Sequence, residues 1–241
     1  SPGRMRANPR RNCACGSGPI TVPPTESSMS DGRSAGASRK KRMGGWWPAF
    51  DTNQQALDAL TAAIEAAGLE PVTHVGIALD IAASQFGRNG RYRLGREERE
   101  LDTAAMVDLL VSWVDRYPIV SVEDPVAEDD PAGMATFTAA VGDRIQVVGD
   151  DFLVTDADRV ARAAEDRSAN TVLIKPNQAG TLTRARAALD AAHARGLQTI
   201  VSARSGETED VSVAHLAVGW GSNGVKVGSI TRGERTAKWN E

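Results

Sequence analysis

The sequence predicts an α/β fold of the TIM-like barrel type with about six consecutive βα units. Three observations lead there: short uninterrupted apolar runs of strand length, amphipathic helical stretches between them, and a charged side chain closing almost every apolar run. Apolar strands separated by helices indicate a parallel sheet covered by its crossovers. Charges at successive strand ends are where a βα-barrel assembles its site.

Asn53 to Ala67 reads as a helix with Leu57, Leu60, Ala63 and Ile64 on one face and Gly68 as its C-cap. The run Val75-Gly76-Ile77-Ala78-Leu79 follows and ends at Asp80. A helix from Asp102 to Arg116 leads into Ile119-Val120-Ser121-Val122, which ends at Glu123. The helix near 131–141 precedes Ile145-Gln146-Val147-Val148, ending at Asp150, and the helix 156–166 precedes Thr171-Val172-Leu173-Ile174, ending at Lys175. A helix over 181–195, closed by Gly196, is followed by Thr199-Ile200-Val201-Ser202, after which come Arg204 and Ser205. A last helix near 208–218 precedes Val225, Lys226 and Val227. No glycine-rich phosphate loop follows the first run, which disfavours a nucleotide-binding doubly wound sheet.

Upstream of this alternation the composition changes. Residues 1–45 hold nine Arg or Lys against Glu26 and Asp31, about +7, so a whole-chain net charge of −3 hides a body near −10. This segment is rich in Ser, Gly, Pro and Arg without periodicity, and it reads as a disordered basic leader preceding a barrel domain over 46–241. The run Arg39-Lys40-Lys41-Arg42 is read as solvated charge, so nucleic acid is not an expected partner. Both cysteines, Cys13 and Cys15, lie in the leader, which leaves the body without thiols for a disulfide framework or a Cys-based metal site and suits a reducing cytoplasm. No apolar stretch reaches the roughly 18 residues of a membrane span, and none resembles a signal peptide. His74, His193 and His215 lack ligand spacing and read as surface or packing residues, and Trp46-Trp47 as an aromatic pair packing at a turn.

The candidate chemistry sits at the strand ends. Closing the sheet would bring Asp80, Glu123 and Asp150 around one mouth, and three hard oxygen donors without Cys or clustered His suit Mg²⁺. Lys175, Arg204, Ser205 and Lys226 follow on later strands. A lysine beside other cations and a metal can have its pKa lowered from about 10.4 toward working pH and serve as a base. Arg204 keeps its charge and offers a planar fork to a phosphate or carboxylate.

Several longer motifs then carry a resemblance. Ser121-Val122-Glu123-Asp124-Pro125 with Glu128-Asp129-Asp130, Gly149-Asp150-Asp151, and Leu173-Ile174-Lys175-Pro176-Asn177-Gln178 with Gly180-Thr181 stand in order. Arg204-Ser205-Gly206-Glu207-Thr208-Glu209-Asp210 and Glu234-Arg235 with Ala237-Lys238 follow. With Gly44-Gly45 and Pro48 as a turn after an early strand, the stretch 44–241 resembles the C-terminal barrel of enolases. The resemblance implies an enolase-type barrel with Mg²⁺ on Asp80, Glu123 and Asp150, and Lys226 as the base that takes the α-proton of 2-phosphoglycerate. It implies Lys175 as an electrostatic aid, Arg204 and Ser205 as phosphate holders, and Lys175, Lys226, Glu123 and Asp150 as the residues around the substrate. The implied product is phosphoenolpyruvate, the implied partner a phosphorylated three-carbon acid, and the implied assembly a homodimer.

Two positions depart from the family pattern. Ala203 stands where a histidine precedes Arg-Ser, and Met43 where an acidic residue precedes the paired glycines. A general acid contributes about 10²–10⁴-fold, so these departures point toward a relative that abstracts the same proton and changes the fate of the β-carbon. Enolase-like enzymes of phosphonate-antibiotic pathways, such as carboxyphosphonoenolpyruvate synthase, are that alternative; an inactive truncated paralogue is the second. The sequence also reads as an incomplete or frame-shifted product, with no apolar strand before Gly44 and therefore an open sheet edge.

Overall fold

The computed structural model describes residues 50–241 apart from Arg96 and Ser205, together with three short strands upstream. These are β1 (Ile20–Thr21), β2 (Arg39–Lys40) and β3 (Trp46–Trp47). The rest of 1–49, with Cys13, Cys15, Met43, Gly44 and Gly45, lies outside the described residues, as do the side chains of Trp46 and Trp47.

Beyond residue 50 the chain alternates as its apolar runs dictate. α1 (Asn53–Ala66) begins at a capping box between Thr52 and Gln55 and leads to β4 (Ile77–Asp80). Three short strands come next, β5 (Gly87–Arg88), β6 (Arg91–Leu94) and β7 (Arg99–Asp102), before α2 (Thr103–Arg116) and β8 (Ile119–Glu123). Then come α3 (Pro131–Val141), β9 (Gln146–Gly149), α4 (Ala157–Glu165) and β10 (Thr171–Ile174). The chain continues through α5 (Pro176–Ala179), α6 (Leu182–His193), β11 (Gln198–Ser202), α7 (Ser212–Gly219), β12 (Gly224–Lys226) and α8 (Gly233–Asn240). The side chains of Asp102, Asp130, Asp156 and Thr181 accept first-turn N–H groups of α2, α3, α4 and α6, which fixes where each helix starts.

The main sheet runs β1-β4-β8-β9-β10-β11-β12, every neighbouring pair parallel. Its six longer strands curl into a half-barrel. The sequence expectation places no strand before Gly44, yet Ile20 and Thr21 pair with Leu79 and Asp80, so β4 has a neighbour on its outer side. The antiparallel meander β5-β6-β7 is also not expected from sequence, because its Arg-rich alternation hides an inward face made by Tyr92 and Leu101, both buried.

Two apolar clusters hold the layers together. One joins Leu57, Met106, Leu110, Phe137, Leu79 and Val122 across α1, α2, α3 and the first sheet strands. The other joins Val172, Ile174, Val201, Leu189, Val160 and Val213 around β10 and β11. Phe152, in the loop after β9, packs against both. No helix of the described residues is long and apolar enough to cross a membrane.

Candidate active site

Because the sheet strands are parallel, their C-terminal ends form one rim. Asp80 and Glu123 are register partners on β4 and β8, so their side chains leave the sheet on the same face. Asp150 follows β9, Lys175 follows β10, Ala203 and Arg204 follow β11, and Lys226 closes β12.

Lys226 reaches across the sheet. Its Nζ donates to Glu123 Oε2 at 2.6 Å and to Asp80 Oδ2 at 3.2 Å. In a flat sheet β12 and β4 would stand five strand intervals apart, about 24 Å; only a curled sheet can bring their side-chain tips into contact. Burial by itself would lower the lysine, but the Glu123 and Asp80 carboxylates outweigh it and hold the ammonium well above the ordinary lysine range. With these carboxylates unneutralised, the rim stabilises the Lys226 proton; the expected lowering concerns a lysine beside a bound metal. Burial pushes the Glu123 carboxyl well up, with Lys226 opposing and Asp80 and Asp150 reinforcing.

A second pair forms beside the first. The Lys175 ammonium donates to Asp150 Oδ2, and Gln178 Nε2 donates to Asp150 Oδ1 at 3.3 Å. Asp150 is held from behind by Asp124, whose Oδ1 and Oδ2 accept from the Asp150 and Asp151 N–H groups at 2.9 and 2.8 Å. Asp124 is 3% exposed, and burial pushes its carboxyl up to about 7 despite those two donors. Burial, with the Asp150 charge beside it, also raises Asp151, and the positive charges of Lys175 and then Arg204 oppose that rise.

Among the described residues Arg204 forms no ion pair with the lysine–carboxylate clusters. Its backbone N–H donates to Asn177 Oδ1 at 3.1 Å, while its side chain is exposed at the rim. Ser205 lies outside the described residues, and half-buried Ala203 brings no polar side chain. The loop carrying these residues is tied to α8 through Glu207. Arg235 Nε lies 2.5 Å from Glu207 Oε1 and Lys238 Nζ 3.3 Å from Oε2. Lys238 also donates to the Thr208 carbonyl at 2.7 Å. Both cations are buried.

Glu123 decides whether these acids suit a divalent ion. Its Oε2 takes the Lys226 ammonium, but its Oε1 is buried without a hydrogen-bond partner, a costly state for a carboxylate oxygen. An orphaned hard oxygen next to Asp80 and Asp150 is the donor chemistry Mg²⁺ accepts. The residues present therefore fit the ion. Among the described residues, however, no three Asp, Glu, His or Cys groups form a ready metal cage, and ammonium groups lie against all three acids.

Residues 27–241 match the family model described as the enolase C-terminal TIM barrel domain. The chain belongs to the enolase family. It is similar to Enolase 2 of Pseudomonas syringae pv. syringae (strain B728a), 46% identical over 198 residues, covering 82% of this chain and 46% of that protein. The same figures hold for Enolase 2 of Pseudomonas syringae pv. tomato (strain ATCC BAA-871 / DC3000). The chain spans about half the length of the curated relatives it matches.

Within this enolase-family barrel, three groups that organise the rim are given no role by the sequence reading, although all but Thr155 stand in its motifs. Asp124 has a signal, since it directly follows Glu123 and so cannot share that strand's inward face. Glu207 with Arg235 and Lys238 has a weaker one, charges of opposite sign in two motifs. Thr155 and Gln178 have none that spacing could expose. The three histidines have local structural partners: His193 Nε2 lies 3.1 Å from Thr199 Oγ1, His74 Nδ1 accepts from the Glu70 N–H at 2.9 Å, and His215 Nε2 lies 3.1 Å from Glu241 Oε1.

Proposed function

We propose that the chain is the barrel portion of a Mg²⁺-dependent enolase-like carbon–oxygen lyase that removes the α-proton of 2-phosphoglycerate and yields phosphoenolpyruvate. The observation that carries this reading is the reach of Lys226 across the curled sheet onto Glu123 and Asp80. It sets a proton-carrying nitrogen against the acids that would hold the metal. In this reading the substrate is a phosphorylated three-carbon acid, the setting cytoplasmic, the assembly a homodimer, and neither nucleic acid nor membrane is a partner.

Asp80, Glu123 and Asp150 would hold the ion. When bound, Mg²⁺ would offset their charge, withdraw the field that fixes the Lys226 proton, and stabilise negative charge on the substrate carboxylate. Lys226 Nζ, then neutral, accepts the α-proton, and the C–H electron pair moves into the enolate. Lys175 places a fixed positive charge where that dianion develops. Arg204, exposed at the rim, and Ser205 would hold the phosphate through charge-assisted hydrogen bonds. The enolate electron pair then expels the β-hydroxyl, which takes a proton from solvent and leaves as water, and Lys226 returns the α-proton to solvent.

A second reading keeps the deprotonation and gives the β-carbon a different fate, as in the phosphonate-pathway relatives. Ala203 favours it, since a methyl group can neither donate a proton nor bind phosphate. Ultraviolet detection of phosphoenolpyruvate from 2-phosphoglycerate, with and without Mg²⁺, separates the two. Magnesium-dependent product supports dehydration; its absence, with the substrate's α-proton still exchanging, supports the relative. Failure of both, together with no effect of Mg²⁺ on thermal unfolding, rejects the proposal and leaves the inactive paralogue.

A further inference from the structure

Two consecutive β-branched residues after β9 adopt left-handed backbone conformations, Val154 at φ 46° and Thr155 at φ 53°. Branched side chains disfavour this region strongly, and such outliers persist only where surrounding structure over-determines them. Here the Asp150 carbonyl accepts from both the Leu153 and Val154 N–H groups at 3.1 and 2.7 Å, and the Asp156 N–H donates to the Leu153 carbonyl at 3.0 Å. Leu153 itself is buried in the second core cluster.

The strained turn delivers one hydroxyl to the rim. Thr155 is 2% exposed. Its Oγ1 accepts from the Lys175 backbone N–H at 3.0 Å and donates to Gln178 Oε1 at 2.5 Å. Gln178 in turn donates through Nε2 to Asp150 Oδ1, and Lys175 Nζ donates to Asp150 Oδ2. The contacts close a ring, Thr155–Lys175–Asp150–Gln178. A threonine uses its single donor and one lone pair in it, a division that valine cannot reproduce and serine can.

We propose that Thr155 is a positioning residue, held in a strained turn so that its buried hydroxyl fixes both Lys175 and, through Gln178, the carboxylate of Asp150. This deepens the proposed function and rests on it, since it assigns a support to the electrostatic lysine and to one metal-holding acid of that reading. The geometry also accounts for a left-handed position not being glycine: glycine would relieve the backbone but carry no hydroxyl.

Competitive labelling of lysine amines with acetic anhydride at neutral pH, read by mass spectrometry on the full chain, tests it without substrate or metal. Thr155→Val is expected to raise labelling of Lys175 about tenfold, the scale of one lost buried hydrogen bond, with Lys226 unchanged as the internal reference. Thr155→Ser is expected to return Lys175 to the wild-type rate. Gln178→Met, a change at a half-buried position that opens the ring from its other side, is expected to raise it as well and serves if Thr155→Val does not fold. Equal labelling of Lys175 in wild type and Gln178→Met would overturn the proposal. So would a rise shared equally by Lys226, which signals general loosening. Where wild type is active, kcat is expected to fall about tenfold in Thr155→Val with KM little changed, the same one-bond scale. An inactive wild type would count against the proposed function and leave the labelling result decisive for Thr155.

Discussion

Lys226 and Glu123 meet at 2.6 Å although β12 and β8 lie four strand intervals apart in the sheet. The contact needs both the curl of the sheet and the length of a lysine, and it puts a cation where a carboxylate that is 5% exposed would otherwise stand alone. Removing one partner of such a pair exposes the desolvation cost of the other.

Lys226→Met keeps the stem and removes the charge. It is expected to lower the unfolding free energy by about 3 kcal/mol, the scale for an uncompensated buried charge. Adding Glu123→Gln is expected to recover about 1–2 kcal/mol of that, since a neutral amide no longer needs a counter-charge. Urea unfolding at neutral pH measures both; additive losses would show that the pair is not coupled.

Asp124 is the brace of Asp150. Asp124→Ala leaves the Asp150 and Asp151 N–H groups without acceptors, at an expected cost of about 2–4 kcal/mol. Asp124→Asn keeps one acceptor oxygen and is expected to fall between. Thermal unfolding ranks the three proteins, and an Ala variant as stable as the wild type would show that water replaces the brace.

Glu207 holds two buried cations of α8. Glu207→Gln is expected to cost about 3 kcal/mol by leaving Arg235 and Lys238 without a counter-ion. Proteolysis at low protease concentration is expected to cut the 203–211 loop faster in this variant while sparing 119–150. Uniform cutting would contradict a local latch.

The tyrosines report the packing by titration. Burial pushes Tyr92 up to about 12, and its hydroxyl donates to Asp130 Oδ2 at 3.0 Å and accepts from the Ala127 N–H at 3.1 Å. Burial raises Tyr117 as well. A folded value above the unfolded one means that the folded state keeps its proton longer, so stability is expected to fall as pH rises from about 10 toward 12. Ultraviolet titration of the folded protein is expected to show little tyrosinate below a pH of about 10, and Tyr92→Phe to remove the highest step. A full transition at the ordinary tyrosine value would show both rings to be solvated.

Much of this arrangement is written in local sequence. The apolar runs ending at Asp80, Glu123, Asp150 and Lys175 can be read directly because a parallel strand is buried on both faces and its first charge marks the rim. The meander over 87–102 escapes such reading because its inward face is short: Tyr92 and Leu101 are buried, Leu94 packs half-buried beside them, and charged residues alternate with them. The charge state of Lys226 is illegible for a different reason: the acids that set it come from strands 103 and 146 residues away, and no window of sequence contains them. The left-handed backbone of Thr155 is likewise a consequence of closure, invisible to residue type, since branched side chains argue against it.

The most direct measurement is exchange of the α-proton of 2-phosphoglycerate in deuterated water, followed by proton magnetic resonance, on wild type and Lys226→Ala with and without Mg²⁺. Exchange that needs magnesium and disappears in Lys226→Ala is the expected result. Exchange that persists undiminished without Lys226, or none in well-folded wild type with Mg²⁺ present, would contradict the placement of the base at the end of β12.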